Sequence, residues 1–305
     1  MENPSDSGIY LSPAKLNLGL KIVGRRDDGY HLLNTVFCLI DLFDTISIQA
    51  LDTPTISLLD HTQSWSYTDD LGFKAAKLLQ DVTGCKLGAN IKIDKVIPTG
   101  AGLGGGSSNA ATILTVLNRL WHLDLTCGQL IDISRKLGAD VPFFIYGRNA
   151  YATGIGDQFS DLDLPQRYFV LVKPDLNIPT KEIFDVFKLN NPEFDSQKFN
   201  RQSLNNHNNS TQHNISEVRF SPQYLLNYFP NDLQDAALAL YPQLGEIIKD
   251  INSAYKINVA MTGSGSTVFM SFDDLKNANK VALSLRRRYN TYLVKSINVS
   301  PAIQL

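Results

Sequence analysis

Charge of either sign is scarce in this sequence. Its 305 residues include 28 Lys or Arg and 30 Asp or Glu, which leaves a net charge of −2. A protein with so weak an overall field does not attract nucleic acid or anionic lipid by electrostatics. We therefore expect no nucleic-acid partner. The basic run at 286–288 lies in a helical pattern and is interpreted as a solvated helix face.

Cysteine and long apolar runs are scarce too. Cys38, Cys85 and Cys127 are odd in number and widely spaced, which argues against a disulfide framework and indicates a reducing compartment. The sequence has no Cys-x-x-Cys pair or His/Cys cluster that would indicate a zinc site. It also lacks a secretory signal and the run of about 18 apolar residues that a membrane helix needs. We expect a cytoplasmic protein with no membrane partner, and the composition fixes no oligomeric state.

What the sequence does have is a glycine-rich segment at residues 98–111. Five glycines occur within positions 100–106, and they lead into two serines and a helical pattern. Glycine lets backbone N–H groups approach a ligand with no Cβ in the way, and the N-terminus of a helix favours an anion. The segment is therefore predicted to hold the phosphates of a nucleoside triphosphate. The residues assigned to it are Pro98, Gly100, Gly102, Leu103, Gly104, Gly105, Gly106, Ser107 and Ser108.

Two commoner phosphate-binding motifs do not fit this segment. A P-loop requires a lysine directly before its Ser or Thr, and no lysine precedes Ser107 or Ser108. The glycines satisfy the string Gly-x-Gly-x-x-Gly, but a dinucleotide fold also needs a second strand and an acidic residue about 20 positions on. Asp124 has roughly that spacing, yet it falls in a short turn between two helical patterns.

Hydrophobic periodicity predicts alternating groups of strands and helices. Strands are expected at 16–22, 45–49, 55–59, 89–94, 150–155, 168–173, 257–262 and 290–298. Helices are expected at 71–82, 110–121, 126–137, 222–229, 231–254 and 273–288. This order predicts an α+β fold in two domains, residues 1–160 and 161–305, with the boundary near 158–165. The polar, Asn-rich residues 197–214 are interpreted as a surface insertion or a disordered loop.

Four further clusters carry polar or ring side chains. Lys15 and Asn17 lie two positions apart, which puts them on one face of a strand. Asp140 follows a helical pattern, Tyr30 and His31 end a basic turn, and residues 262–265 form a second turn of small residues. Taken singly, each cluster has an ordinary structural explanation: a solvated lysine, an N-cap aspartate, buried rings or a tight turn.

The order of these clusters, however, resembles that of a known family. Pro13-Ala-Lys15-Leu-Asn17, then Pro98-x-Gly-x-Gly-Leu-Gly-Gly-Gly-Ser-Ser, then Thr262-Gly-Ser-Gly are similar to the three motifs of the GHMP kinase superfamily. The resemblance extends from residue 9 to about residue 270. It implies a two-domain GHMP kinase fold with the active site in the cleft between the domains, and an ATP-dependent kinase that phosphorylates an alcohol.

Further motifs resemble one branch of that superfamily. They are Gly24-Arg-Arg-x-Asp-Gly-Tyr30-His31, Gly138-Ala-Asp140-Val-Pro-Phe and Asn231-Asp-Leu. This branch phosphorylates the C2 hydroxyl of a methylerythritol that carries a cytidine diphosphate, a step of the non-mevalonate isoprenoid pathway. The resemblance implies ATP and Mg²⁺ as cofactors and a small-molecule substrate with a cytidine diphosphate moiety.

The resemblance also implies roles for single residues. Asp140 accepts the proton of the C2 hydroxyl, while Lys15 orients the carboxylate and stabilises charge. Because a carboxylate beside an ammonium stays ionised and is a weak base, alignment of the hydroxyl by Asp140 stays open as an alternative. Lys95 is implied near the adenine pocket, Ser107 or Ser108 helps to place Mg²⁺, and the metal ligands are otherwise unassigned. The residues implied on the substrate side are Asn17, Tyr30, His31, Thr180 and Phe184. Asp70 departs from the pattern, since family members often have Asn there, and this puts one adenine-side contact in question.

Two alternative functions stay open on the sequence. The first is another GHMP kinase, such as homoserine or mevalonate kinase, but a small substrate without a base gives Tyr30 and His31 no role. The second is a catalytically silent nucleotide-binding regulator on the same fold. The presence of both Lys15 and Asp140 argues against that second alternative.

Overall fold

A computed structural model describes residues 7–60, 66–191 and 229–303. Its strands are β1 (Ser7–Arg25), β2 (His31–Leu51), β3 (Ile56–Leu59), β4 (Gly88–Asp94), β5 (Ala150–Thr153), β6 (Gln158–Asp161), β7 (Tyr168–Lys173), β8 (Ala260–Met261), β9 (Val268–Phe272) and β10 (Asn290–Ile297). Its helices are α1 (Leu71–Thr83), α2 (Gly105–Leu120), α3 (Cys127–Ser134), α4 (Val141–Tyr146), α5 (Thr180–Asn190), α6 (Leu233–Leu240), α7 (Pro242–Tyr255) and α8 (Leu275–Leu285). The Asn-rich residues 197–214 and all but the last residue of the helix predicted at 222–229 lie outside the described residues.

The long antiparallel pair β1 and β2 forms the base of the site. The two strands run alongside each other from Ser7 opposite Gln49 to Arg25 opposite His31. The sequence predicted only residues 16–22 and 45–49 of this pair as strand. The middle of β2, Val36–Ile40, is buried throughout. A strand buried on both faces reads as a continuous apolar run without alternation.

One sheet joins the two halves of the chain. Its strand order is β3-β4-β2-β10-β7-β9-β8, with β1 and β5 also paired to β2 and β6 paired to β5. The connection is short, because β10 meets β2 only at Ser296 opposite Ile40 and Ile297 opposite Leu39. The division into residues 1–160 and 161–305 stays a prediction. Strand β6 occupies residues 158–161 of the predicted boundary region.

Helices cover the sheet in two groups. Helices α1–α4 bury Leu79, Ile113 and Phe143 against the strands of the N-terminal half. Helices α5–α8 bury a second apolar cluster, which includes Ile183 and Ala282, against β7 and β9. A third cluster lies between them and contains strand residues of both halves: Leu16, Ile40, Phe169 and Phe269. In the part of the chain that the structure describes, no helix is long and apolar enough to cross a membrane.

Several predicted elements have different bounds in the structure. The helix predicted at 231–254 is two helices, because Pro242 begins a new one and cannot continue the hydrogen bonding of α6. The strand predicted at 257–262 contains only two strand residues, since the chain there turns directly into the loop at 262–267. The sequence analysis did not predict α4, which has six residues and is apolar nearly all round, and it missed α5, although Ile183, Phe184 and Phe187 form an apolar stripe there.

Candidate active site

The glycine-rich segment packs against a second loop from the C-terminal half. Gly102 and Gly104 have positive φ values of 74° and 73°. A Cβ on Gly102 would lie 2.5 Å from the carbonyl oxygen of Thr262, so a larger residue does not fit there. Helix α2 begins at Gly105, and Gly104 at its N-cap offers no side chain to the first turn. The N–H groups of that turn are therefore available to an anion.

The residues predicted to hold phosphate do not all face the same space. Gly100, Gly102, Gly104 and Ser107 line a cleft of about 300 Å³. The hydroxyl of Ser108 is buried and accepts a hydrogen bond from Ser12 at 2.7 Å. Leu103 is a core residue, whose carbonyl oxygen accepts a hydrogen bond from the Lys15 N–H at 3.0 Å. This bond ties the glycine loop to β1. Pro98, Gly105 and Gly106 are not among the residues that line the cleft.

Lys15 and Asp140 meet at the floor of the cleft. The Lys15 ammonium lies 3.3 Å from Oδ2 of Asp140 and donates to Oδ1 of Asn17 at 2.6 Å. It also lies 5.5 Å from the ring centre of Phe37. The Lys15 side chain is 4% exposed and that of Asp140 is 35% exposed, so the carboxylate opens to the cleft and the ammonium is behind it. Lys15 and Asn17 share one strand face, as their spacing predicts.

Asn17 is held by two further groups, the hydroxyls of Thr35 and Thr262. Its side-chain amide donates to the Thr35 hydroxyl at 2.8 Å, and that hydroxyl donates to the Gly19 carbonyl oxygen at 2.7 Å. The backbone N–H of Asn17 donates to the Thr262 hydroxyl at 2.9 Å. Sequence reasoning missed the role of Thr35, since nothing in a single sequence indicates that it faces Asn17 across two strands.

The loop at 262–267 is fixed by the segment that precedes α6. The Asn231 amide donates to the carbonyl oxygens of Met261 and Gly263 at 2.9 and 2.7 Å. The next residue, Asp232, accepts from the Ile22 N–H at 2.9 Å and from the Lys21 ammonium at 2.6 Å. Residues 231–232 therefore connect the second loop to β1. Gly263, Ser264 and Gly265 line the cleft opposite the glycine-rich segment.

A cluster of aromatic side chains adjoins the cleft at Phe184. The His31 ring stacks on Phe184, with ring centres 4.8 Å apart and planes at 24°, and it meets the edge of Phe187 at 6.5 Å. The Thr180 hydroxyl lies 2.8 Å from that of Ser264. Tyr30 is 57% exposed and lines a smaller adjoining cavity. Thr180 and Phe184 thus line the cleft, and His31 adjoins it through its stack on Phe184.

Lys95 lies next to the start of α2 and is paired with Asp44. Asp44 is fully buried, and its Oδ1 accepts the backbone N–H groups of Val96 and Ile97 at 2.7 and 2.8 Å. Sequence reasoning missed Asp44, which lies in no motif.

Asp70, the residue that departs from the family pattern, accepts the Gly72 N–H at 2.8 Å and so caps α1.

A larger cavity of about 590 Å³ lies at the far end of α2, lined in part by Arg119, Tyr146 and Asp161. Its polar groups largely satisfy one another: the Tyr146 hydroxyl donates to Asp161, and Arg119 donates to the Tyr10 hydroxyl at 3.1 Å. Burial, together with the bond to Asp161, raises the pKa of Tyr146 to about 12. The smaller cleft is the better candidate active site, because it alone of the two combines an ammonium–carboxylate pair with a glycine-rich loop.

Comparisons with known proteins show the family to which the chain belongs. The family of GHMP kinases N terminal domains matches residues 70–148, and the family of GHMP kinases C terminal domains matches residues 220–291. A 4-diphosphocytidyl-2-C-methyl-D-erythritol kinase of Neisseria meningitidis serogroup A is 40% identical over 296 residues, which cover 97% of both chains. This chain is a member of that GHMP kinase family.

Solved structures support the same assignment. The crystal structure of a 4-(cytidine 5'-diphospho)-2C-methyl-D-erythritol kinase aligns with a TM-score of 0.76 at 30% identity, covering 95% of this chain and 99% of that one. The homoserine kinase from Cytophaga hutchinsonii aligns with a TM-score of 0.69 at 14% identity, covering 99% of this kinase and 98% of that chain, which shows the shared fold alone. The predicted two-domain GHMP kinase fold and the kinase activity are confirmed.

Proposed function

We propose that this kinase transfers the terminal phosphoryl group of ATP to the C2 hydroxyl of 4-diphosphocytidyl-2-C-methyl-D-erythritol. The reaction belongs to the non-mevalonate isoprenoid pathway, and we place it in the cytoplasm. The observation that carries the proposal is the Lys15–Asp140 pair, at 3.3 Å. It shares a cleft with a glycine loop and with Phe184, on which the His31 ring stacks.

The acceptor hydroxyl reacts at Asp140. The carboxylate, about one-third exposed, accepts a hydrogen bond from the hydroxyl, whose oxygen attacks the terminal phosphorus of ATP. Asp140 takes the proton as the new O–P bond forms, which is general-base catalysis, and the bond from that phosphorus to the bridging oxygen breaks to release ADP. The Lys15 ammonium, fixed by Asn17 at 2.6 Å, compensates the negative charge that gathers on the acceptor and the phosphoryl oxygens.

The triphosphate of ATP binds at the glycine loop and the first turn of α2. Oriented N–H groups and the helix dipole favour its charge. In the described part of the chain no group of three or more His, Cys, Asp or Glu could hold a metal ion. That fits Mg²⁺, which usually keeps several waters and binds through phosphates and one or two protein oxygens. Ser107 and Asp140 would supply those oxygens, whereas the Ser108 hydroxyl is engaged with Ser12. Bound there, Mg²⁺ neutralises phosphoryl charge.

The cytidine end of the substrate binds beside α5. The His31 ring, already stacked on Phe184, offers its nitrogens to the edge of a base, and Tyr30 offers an exposed ring for stacking. Thr180 lies beside this pair at the first residue of α5. A substrate such as homoserine or mevalonate has no group for these side chains to recognise.

The test is ADP release by the purified kinase with Mg·ATP and three alcohols offered in parallel. Turnover with the cytidine compound alone is the expected result. Turnover with homoserine or mevalonate in its place would overturn the substrate assignment and leave the kinase fold intact. ATP binding without turnover on any alcohol would indicate the silent regulator.

A further inference from the structure

A smaller cavity adjoins the active-site cleft. It measures about 190 Å³ and lies between the Tyr30 turn and the residues that follow α3. It shares two lining residues, Ala139 and Ile155, with the cleft. Ala139 directly precedes Asp140 in the sequence, so the side cavity adjoins the cleft beside the segment that carries the reacting carboxylate.

One cation at the side cavity has no carboxylate partner among the described residues. Arg135 is compensated twice, since it pairs with Asp132 and donates through Nε to Oδ2 of Asp157 at 2.9 Å. Asp157 also accepts a hydrogen bond from the backbone N–H of Ile155 at 3.3 Å. Lys136 is exposed, and its ammonium has no hydrogen bond or ion pair within residues 7–60, 66–191 and 229–303. Two cations and two carboxylates therefore meet around the side cavity, and Lys136 is the cation that no carboxylate contacts within the described residues.

The proposed substrate has an anionic group, its diphosphate, between the parts that bind at Asp140 and at Tyr30. Its reacting hydroxyl lies at Asp140 and its base lies at Tyr30 and His31, so the diphosphate that joins them lies between these points. A diphosphate diester carries two negative charges, and a flexible lysine reaches phosphate oxygens as a mobile point charge. Asp140 and Asp157 are already paired with Lys15 and Arg135, so Lys136 is the lysine at the side cavity that is available to meet the diphosphate.

We infer that Lys136 is a substrate-binding residue that contacts the diphosphate of the cytidine substrate. This inference rests on the proposed function and adds a residue to it. Lys136 follows the C-terminal end of α3, where a cation also stabilises the helix dipole. A purely structural role would change the melting temperature of a Lys136 variant without changing its preference among ligands.

The test compares CDP with cytidine, which differ only in the phosphates. Isothermal titration calorimetry measures both ligands on the wild type and on Lys136→Met, Lys136→Arg and Lys86→Met. Lys86 is an exposed lysine between α1 and β4, so Lys86→Met is a matched control. We expect Lys136→Met to reduce the affinity advantage of CDP over cytidine about tenfold, the low end for a charged hydrogen bond at an exposed site. Lys136→Arg retains most of that advantage, and Lys86→Met retains all of it.

Kinetics gives a second readout. With saturating Mg·ATP, Lys136→Met raises KM for the cytidine substrate about tenfold and leaves kcat and the KM for ATP within about twofold. An unchanged CDP-to-cytidine affinity ratio in Lys136→Met would overturn the inference while the proposed function stands. Failure of the wild type to bind CDP and to turn over the cytidine substrate would overturn both.

Discussion

Replacing Asp140 by Asn is the sharpest test of the proposed chemistry. The substitution keeps the shape of the side chain and removes its charge and its ability to take a proton. The Lys15 ammonium loses a carboxylate at 3.3 Å but keeps the Asn17 oxygen at 2.6 Å. Because Asp140 is about one-third exposed, water screens the lost ion pair. We expect the free energy of unfolding to fall by about 1 kcal/mol, which leaves a folded protein to assay.

The effect on turnover is much larger than the effect on stability. Proton acceptance by a positioned group contributes about 10²–10⁴-fold to rate, or about 3–5 kcal/mol of transition-state stabilisation. We expect kcat of Asp140→Asn to fall by that factor. The ATP affinity stays near the wild-type value, because Asn leaves the glycine loop and α2 untouched. Coupled ADP-release kinetics measures the first quantity and isothermal titration calorimetry the second.

Asp140→Ala separates proton acceptance from alignment of the hydroxyl. If Asp140 takes the proton, the Asn and Ala variants lose similar amounts of kcat; if it only aligns the hydroxyl, Asn retains most of the rate. The matched control is Asp81→Asn, which removes a carboxylate from an exposed Lys77–Asp81 pair on α1 and should leave kcat unchanged. A kcat within about fivefold of wild type in Asp140→Asn would refute the role of Asp140 as the proton acceptor.

Three other predictions concern the ends of the cleft and the core. His31→Ala removes the stack on Phe184 and should raise KM for the cytidine substrate up to about tenfold, with the KM for ATP unchanged; equal increases in steady-state kinetics would contradict a base-reading role. Gly102→Ala places a Cβ 2.5 Å from a carbonyl oxygen at a φ of 74°. Calorimetry should therefore show loss of most ATP affinity, and thermal melts should show that the free energy of unfolding falls by about 2 kcal/mol. The control Gly128→Ala, in the open first turn of α3, is neutral. Burial raises the pKa of the Cys38 thiol to about 12, so a disulfide reagent at pH 8 should modify it only after unfolding; rapid labelling of three thiols in the native protein would show that this core opens.

The fold was predictable where the local pattern of apolar residues is clear. The apolar run at 168–173 matches β7, and the helical pattern at 71–82 matches α1 to within one residue. Secondary structure was not predicted correctly where an element is buried nearly all round, because its apolar residues then show no periodicity. Strand β2 lost its alternation because Val36–Ile40 is buried throughout, and α4 is a six-residue helix whose residues are buried except for Tyr146.

Only part of the candidate site could be predicted from the residues themselves. The two-residue spacing of Lys15 and Asn17 and the glycines of the phosphate loop are local signals, so sequence alone indicated them. The roles of Asp140, His31 and Phe184 came only through the resemblance to GHMP kinases. Thr35 and Asp44 were missed, because their partners are distant in sequence and a lone polar residue in a strand carries no sign of what it faces across the sheet.

The site is an assembly of both halves of the chain. The hydrogen bond from the Asn17 N–H to the Thr262 hydroxyl joins residues 245 positions apart, and the Thr262 carbonyl oxygen occupies the space that a Cβ on Gly102 would need. The Asn231 amide holds the same loop by two carbonyl oxygens. The phosphate loop therefore takes its shape against the C-terminal half, and the lysine at its base is fixed through a neighbour, Asn17, that the C-terminal half also holds. Because the donor and acceptor positions share this support, their alignment depends on the packing between the halves as much as on the motifs themselves.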